Sequence, residues 1–188
     1  MNSRSFIAGF ITGHSVPGCT GLSQEQQDFQ KRSGIGAGQW LGHNFPWSET
    51  FPFPERFLLL KASYHNVTHY LRSRRPAFAL EHRDAVSSIL NRYETILLLA
   101  GSCGLELFNN LQLPEALRRR IHIFAYGPVS RRLPEVASHL FVQGAHDWLS
   151  RFYHPQVQHR YPCAHMGYLQ APETLRLFND YHQKVVSA

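Results

Sequence analysis

The feature that most constrains this chain is the run Glu94 to Ala100, ETILLLA, followed at once by Gly101-Ser102-Cys103-Gly104 and then a helical pattern from Leu105 to Leu111. A short, almost wholly apolar run predicts a strand buried on both faces, as in a parallel sheet. A strand that passes into a helix within four residues needs a sharp turn. Such a turn requires small residues two before and two after its central residue, because a side chain there would collide with neighbouring backbone. Ala100 and Gly104 meet that requirement around Ser102, with alanine in place of the first glycine of the pattern G-x-S-x-G. Centring the turn on Cys103 would put Leu105 at the second small position. Ser102 is therefore the first candidate nucleophile and Cys103 the second.

Strands and helices alternate along the rest of the chain. Short strands are predicted over Phe6 to Thr12, Gln39 to His43, Ile121 to Tyr126, His139 to Gln143 and Val157 to Tyr161. Between them lie predicted helices over Ser23 to Arg32, with Ser23 as N-cap, Pro54 to Arg72, and Ala77 to Arg92 beyond the break at Pro76. A short helix is predicted over Arg132 to Ser138. A terminal amphipathic helix is predicted over Pro172 to Val185, with Leu175, Phe178 and Tyr181 on one face. This alternation predicts a single α/β domain over residues 1–188, a three-layer sandwich with a mostly parallel sheet of about six strands. In such sheets ligands gather beyond the C-terminal ends of the strands.

Composition narrows the class. Hydrophobic residues make up 43% and charged residues 17%, which excludes a disordered chain and a coiled coil. No run of about 18 apolar residues occurs, so no membrane span is predicted. The formal charge is +6. The basic residues are scattered, however, and the densest groups, Arg72-Arg74-Arg75, Arg118 to Arg120 and Arg131-Arg132, read as solvated helix ends rather than a nucleic-acid surface. Three widely spaced cysteines, Cys19, Cys103 and Cys163, suit a reducing cytoplasm better than a disulfide framework.

Three predicted strand ends carry reactive side chains. Ser102 follows Glu94 to Ala100, Gly144-Ala145-His146-Asp147 follows His139 to Gln143, and Pro162-Cys163-Ala164-His165-Met166-Gly167-Tyr168 follows Val157 to Tyr161. Serine, acid and histidine thus come in the order Ser102, Asp147, His165. Other acids fit less well: Asp84 falls in mid-helix, Glu94 at the start of a strand, and Glu106 inside the helix after the turn. No metal or other cofactor is expected. His65 and His69 share a helix face, but Asn66 stands where a metalloprotease helix carries its glutamate.

The segments Phe141 to Ser150 and Ala164 to Glu173, with the turn at Ser102, resemble the compact, serine-dependent α/β-hydrolases. The resemblance runs from about Phe6 to the C-terminus and is specific over the last 95 residues. It implies an α/β-hydrolase-like sheet that begins at the family's third strand, without the usual two leading strands. It also implies a serine esterase or thioesterase acting on an ester or acyl thioester, with an acidic acyl carrier protein as a further candidate partner. Ser102 would be the nucleophile, His165 its base, and Asp147 the group that orients and stabilises the imidazole. The oxyanion hole would take the Cys103 N–H and a second N–H near His14 or Ser15. An acyltransferase with the same residues, or a non-catalytic binding protein of the same fold, are the alternatives.

The aromatic group Trp40, Phe45, Trp47, Phe51, Phe53 and Phe57 fits either core packing or an apolar pocket beside Ser102. His43, Phe45, Trp47 and Met166 are the candidate pocket residues. Asp147 lies only 22 positions after Ala125, too few for a large helical lid between them. An open site walled by the segment from His43 to Phe57 is the expectation.

Overall fold

A computed structural model describes residues 5–14, 18–47 and 59–187. Six strands form one parallel sheet: β1 (Phe6–Ile11), β2 (Trp40–Asn44), β3 (Thr95–Gly101), β4 (Ile121–Tyr126), β5 (Ser138–Gly144) and β6 (His159–Tyr161). Their spatial order is β2-β1-β3-β4-β5-β6. The helices are α1 (Gln24–Arg32), α2 (Leu59–Ser73), α3 (Pro76–Leu90), α4 (Gly104–Leu111), α5 (Glu115–Arg118), α6 (Trp148–Tyr153) and α7 (Pro172–Ser187).

β3 lies at the centre, and its alternation builds two cores. Ile96, Leu98 and Ala100 face a cluster that holds Phe78, Val86 and Leu90 of α3 and Leu105, Leu107 and Phe108 of α4. Leu97 and Leu99 face the opposite cluster, with Phe29 of α1 and Leu177, Phe178 and Tyr181 of α7. A strand covered on both faces has no polar side to show, which is why its sequence is continuously apolar. The result is the expected three-layer α/β sandwich.

Local signals act as predicted at several ends. Ser23 caps α1 in a full capping box: its Oγ accepts from the Gln26 N–H at 3.3 Å, and Gln26 Oε1 accepts from the Ser23 N–H at 2.9 Å. Pro76 opens α3 at a position that needs no N–H. The predicted start of the helix before it, at Pro54, lies outside the described residues.

One predicted element is absent. Arg132 to Ser138 is not helical, and residues 127–137 cross from β4 to β5 as an irregular loop. Pro134 pushes Leu133 away from helical conformation. The segment's amides also find partners elsewhere: the Ala137 N–H donates to the Ile121 carbonyl at 2.9 Å, and the Val129 N–H donates to the Ser102 carbonyl at 2.9 Å. The short helices α5 and α6, by contrast, have no counterpart in the sequence reading. No described helix is long and apolar enough to cross a membrane.

Candidate active site

Ser102 sits between β3 and α4 with φ = 50°, in the left-handed region that a residue with a Cβ rarely occupies. Its neighbours hold it there. The Ser102 N–H donates to the Tyr126 carbonyl at 3.2 Å, and its carbonyl receives the Val129 N–H. Local strain of this sort persists only when the surroundings over-determine the backbone. Ala100 is fully buried, so a methyl group fits where glycine is usual. At Gly104 it does not: a Cβ there would overlap the Ile11 carbonyl oxygen.

Asp147 and His165 reach the same point from other elements. Asp147 follows β5 and caps α6, its Oδ1 accepting from the Ser150 N–H at 3.0 Å. That cap fixes the carboxylate and leaves Oδ2 for His165 Nδ1 at 2.8 Å. His165, in the turn after β6, places Nε2 2.9 Å from Ser102 Oγ. With a carboxylate at Nδ1 the imidazole proton belongs there, so Nε2 accepts from the serine hydroxyl. A hydroxyl, an imidazole and a carboxylate in this line can withdraw a proton from the hydroxyl as it attacks an electrophile.

Sequence reasoning missed Tyr168. Its hydroxyl donates to Asp147 Oδ2 at 2.6 Å and accepts from the Gly144 N–H at 2.7 Å. Burial and the adjacent Asp147 push its pKa up, so it remains a donor. Burial alone would raise the Asp147 pKa, but hydrogen bonds from His165, Tyr168 and the Ser150 N–H outweigh it and hold the carboxyl below the usual range. Tyr168 follows His165 by three residues, and only folding reveals that its hydroxyl points at the acid.

Cys103 is fully buried, and burial pushes its thiol up to about 12, which leaves it protonated and a poor competitor to Ser102. No other described residue accepts from its backbone N–H. His14 differs from the expectation. Its N–H donates to His69 Nδ1 at 3.2 Å, so that amide is already engaged; Ser15 lies outside the described residues.

These groups open into a cleft of about 1750 Å³. His43 and Met166 line it, as expected, whereas Phe45 and Trp47 do not. Phe45 is wholly buried in the core, and Trp47 donates its Nε1–H to the Phe10 carbonyl at 2.8 Å. Turning inward satisfies the indole N–H and buries both rings. The described walls also include Ser23 and residues 24–27 and 30 of α1, and Asn66, Val67, Tyr70 and Leu71 of α2 with Arg74 just past its end. Phe51, Phe53 and Phe57 lie outside the described residues.

His14, which lines the cleft, gathers with His69 and His82 around Phe45 and Phe78. The rings of His14 and His69 are 4.4 Å apart, and His82 lies 4.8 Å from Phe78. Burial lowers the pKa of all three, that of His69 to about 3. No group of three or more His, Cys, Asp or Glu among the described residues is arranged to hold a metal ion.

A pH effect follows from His69. Above its ordinary pKa of 6.5 it is neutral folded or unfolded. Below that, the unfolded chain takes up a proton that the native residue refuses. Stability is therefore expected to fall from pH 6.5 toward 3, at up to about 1.4 kcal/mol per pH unit for such a group. Urea midpoints between pH 7.5 and 4.5 measure this slope, which His69→Gln should flatten. An unchanged slope in the variant would refute the assignment.

Comparison with protein-family models and with curated proteins finds no match for the chain.

Proposed function

We propose that this protein is a serine hydrolase of the α/β-hydrolase kind, cleaving a carboxylic ester or thioester through a Ser102 acyl-enzyme. The observation that carries the reading is the unbroken line Ser102 Oγ, His165, buried Asp147, with Ser102 and His165 lining an open cleft. Ser102 Oγ attacks the acyl carbon while His165 Nε2 takes its proton. His165 returns that proton to the leaving oxygen or sulfur as the bond to the acyl carbon breaks. Water then attacks the acyl-enzyme with His165 as base, which releases the acid and restores the Ser102 hydroxyl. Asp147 holds the tautomer and stabilises the imidazolium, and Tyr168 fixes Asp147. The Cys103 N–H, at the start of α4, supplies one oxyanion donor in this reading. No disulfide joins Cys19, Cys103 or Cys163, which supports a reducing compartment such as the cytoplasm.

A fluorophosphonate probe with intact-mass readout, beside turnover of short p-nitrophenyl esters, tests this. The wild type should gain one probe, Cys103→Ala should do the same, and Ser102→Ala should gain none. A wild type that neither labels nor turns over any acyl substrate sinks the reading. Labelling that survives Ser102→Ala and vanishes in Cys103→Ala would move the nucleophile.

A further inference from the structure

The loop that replaces the predicted helix between β4 and β5 carries Arg131 into the wall of the cleft. Its position is built rather than incidental. Glu106, on the first turn of α4 and only 1% exposed, accepts from Arg131 Nε at 2.8 Å through Oε1 and from the Arg131 N–H at 2.9 Å through Oε2. Asn110 Nδ2 donates to the same Oε1 at 3.2 Å. Two residues earlier, Val129 is bonded to the Ser102 carbonyl, which ties the loop to the nucleophile itself. Nε is thus consumed by the anchor, while neither Nη atom has a hydrogen-bond partner among the described residues. The Arg131 side chain is 42% exposed.

The facing wall adds direction. Val67, Tyr70 and Leu71 fall on one face of α2, at the i, i+3, i+4 spacing, and Arg74 follows in the turn just past its end; all four line the cleft. The face begins beside Asn66, next to Gly13 and Cys103 at the serine turn. Tyr70, within electrostatic reach of Arg131, lies about 6 Å along the helix axis from Asn66, and Arg74 stands just beyond the helix end. A short apolar track therefore leads from Ser102 past Arg131 to a second cation. Glu25 is the one carboxylate among the described lining residues, and Gln170 Nε2 donates to it at 2.7 Å.

We propose that the substrate carries an anionic oxygen group, a carboxylate or phosphate, several bonds from the carbonyl that Ser102 attacks, and that the Nη fork of Arg131 binds it, with Arg74 a second cation lining the same cleft. This inference rests on Ser102 being the nucleophile. A guanidinium fixed through Nε presents two parallel donors at little entropic cost, the geometry that suits a planar or tetrahedral oxyanion. The buried Glu106 orients the fork and does not cap it.

Two matched pairs test the inference and separate the sources of the anion. p-Nitrophenyl hydrogen adipate against p-nitrophenyl hexanoate places the charge on the acyl side. Hexanoyl-coenzyme A against the neutral N-acetylcysteamine thioester of hexanoate places it on the leaving group. The wild type should favour the charged member of at least one pair in kcat/KM, and the preference should shrink about 10–100-fold in Arg131→Gln, the loss of hydrogen bonds to a charged group. Arg131→Lys, which keeps the charge and loses the fork, should fall between. Because Arg131→Gln leaves the Glu106 carboxylate unpaired, the double variant Glu106→Gln/Arg131→Gln repeats the measurement without that buried charge. Calorimetric binding of the two hexanoyl thioesters and of adipate to Ser102→Ala needs no chemistry. Tighter charged-ligand binding that depends on Arg131 supports the inference even if no substrate turns over, in which case the hydrolase reading alone fails. Equal or better use and binding of the neutral members, or a preference that survives in both Gln variants, overturns it.

Discussion

Ser102→Ala is expected to lower kcat for a p-nitrophenyl ester by about 10⁶-fold, and His165→Ala by a similar factor. The reason lies in the 2.9 Å contact between Ser102 Oγ and His165 Nε2. A serine hydroxyl without its base is a weak nucleophile, and the base without the hydroxyl has nothing to activate. In the proposed mechanism the two residues act as one device, so the double variant should be no slower than either single one. Steady-state rates of the three proteins, with the uncatalysed rate subtracted, give the comparison. Losses that multiply would show that His165 and Ser102 act independently. Asp147→Asn should cost less, about 10⁴-fold, because it leaves the nucleophile and base in place and disturbs only the tautomer and the imidazolium.

The second large effect is on the fold. Gly104→Ala is expected to destabilise the protein by about 3 kcal/mol or more, since overpacking against fixed atoms forces backbone movement. For a chain of this length that is roughly a 10 °C loss in Tm. The added methyl group would overlap the Ile11 carbonyl oxygen, which belongs to β1 and cannot rotate away as a side-chain tip could. Gly38→Ala is the control, because a Cβ at Gly38 meets nothing within 4 Å. Thermal melts of the two variants beside the wild type decide the matter. Equal melting temperatures would mean that β1 and α4 yield to one another. Activity should fall with stability in Gly104→Ala, because moving α4 away from β1 also moves the turn that holds Ser102.

Much of the site could be read from the chain because each part sits where a local pattern changes. Ser102, Asp147 and His165 each follow a short apolar run, and a parallel sheet brings such run-ends to one edge. Two of the strands, β4 and β5, match the sequence reading to within a residue at each end, because a run of apolar or β-branched residues bounded by turn residues has few other outcomes. The loop at residues 127–137 was harder. Its apolar and basic residues suit a helix turn, and what denies the helix is Pro134 together with β-strand and serine carbonyls distant in sequence. Phe45 and Trp47 show the same limit. Their composition serves a pocket or a core equally, and the choice was made by the Phe10 carbonyl, which gives the Trp47 indole a buried acceptor.

The sequence by itself determined the alternation of strands and helices, the two-faced burial of β3 and the order of serine, acid and histidine, because hydrophobic periodicity and turn chemistry are local properties. The tertiary structure alone decided the rest. It aimed the Tyr168 hydroxyl at Asp147, drew the His14 amide to His69, buried the Cys103 thiol, and anchored Arg131 on Glu106 at the cleft wall. Each of these is a pairing between groups on different elements. Their partners are set by how the elements pack, and no short stretch of sequence contains that information.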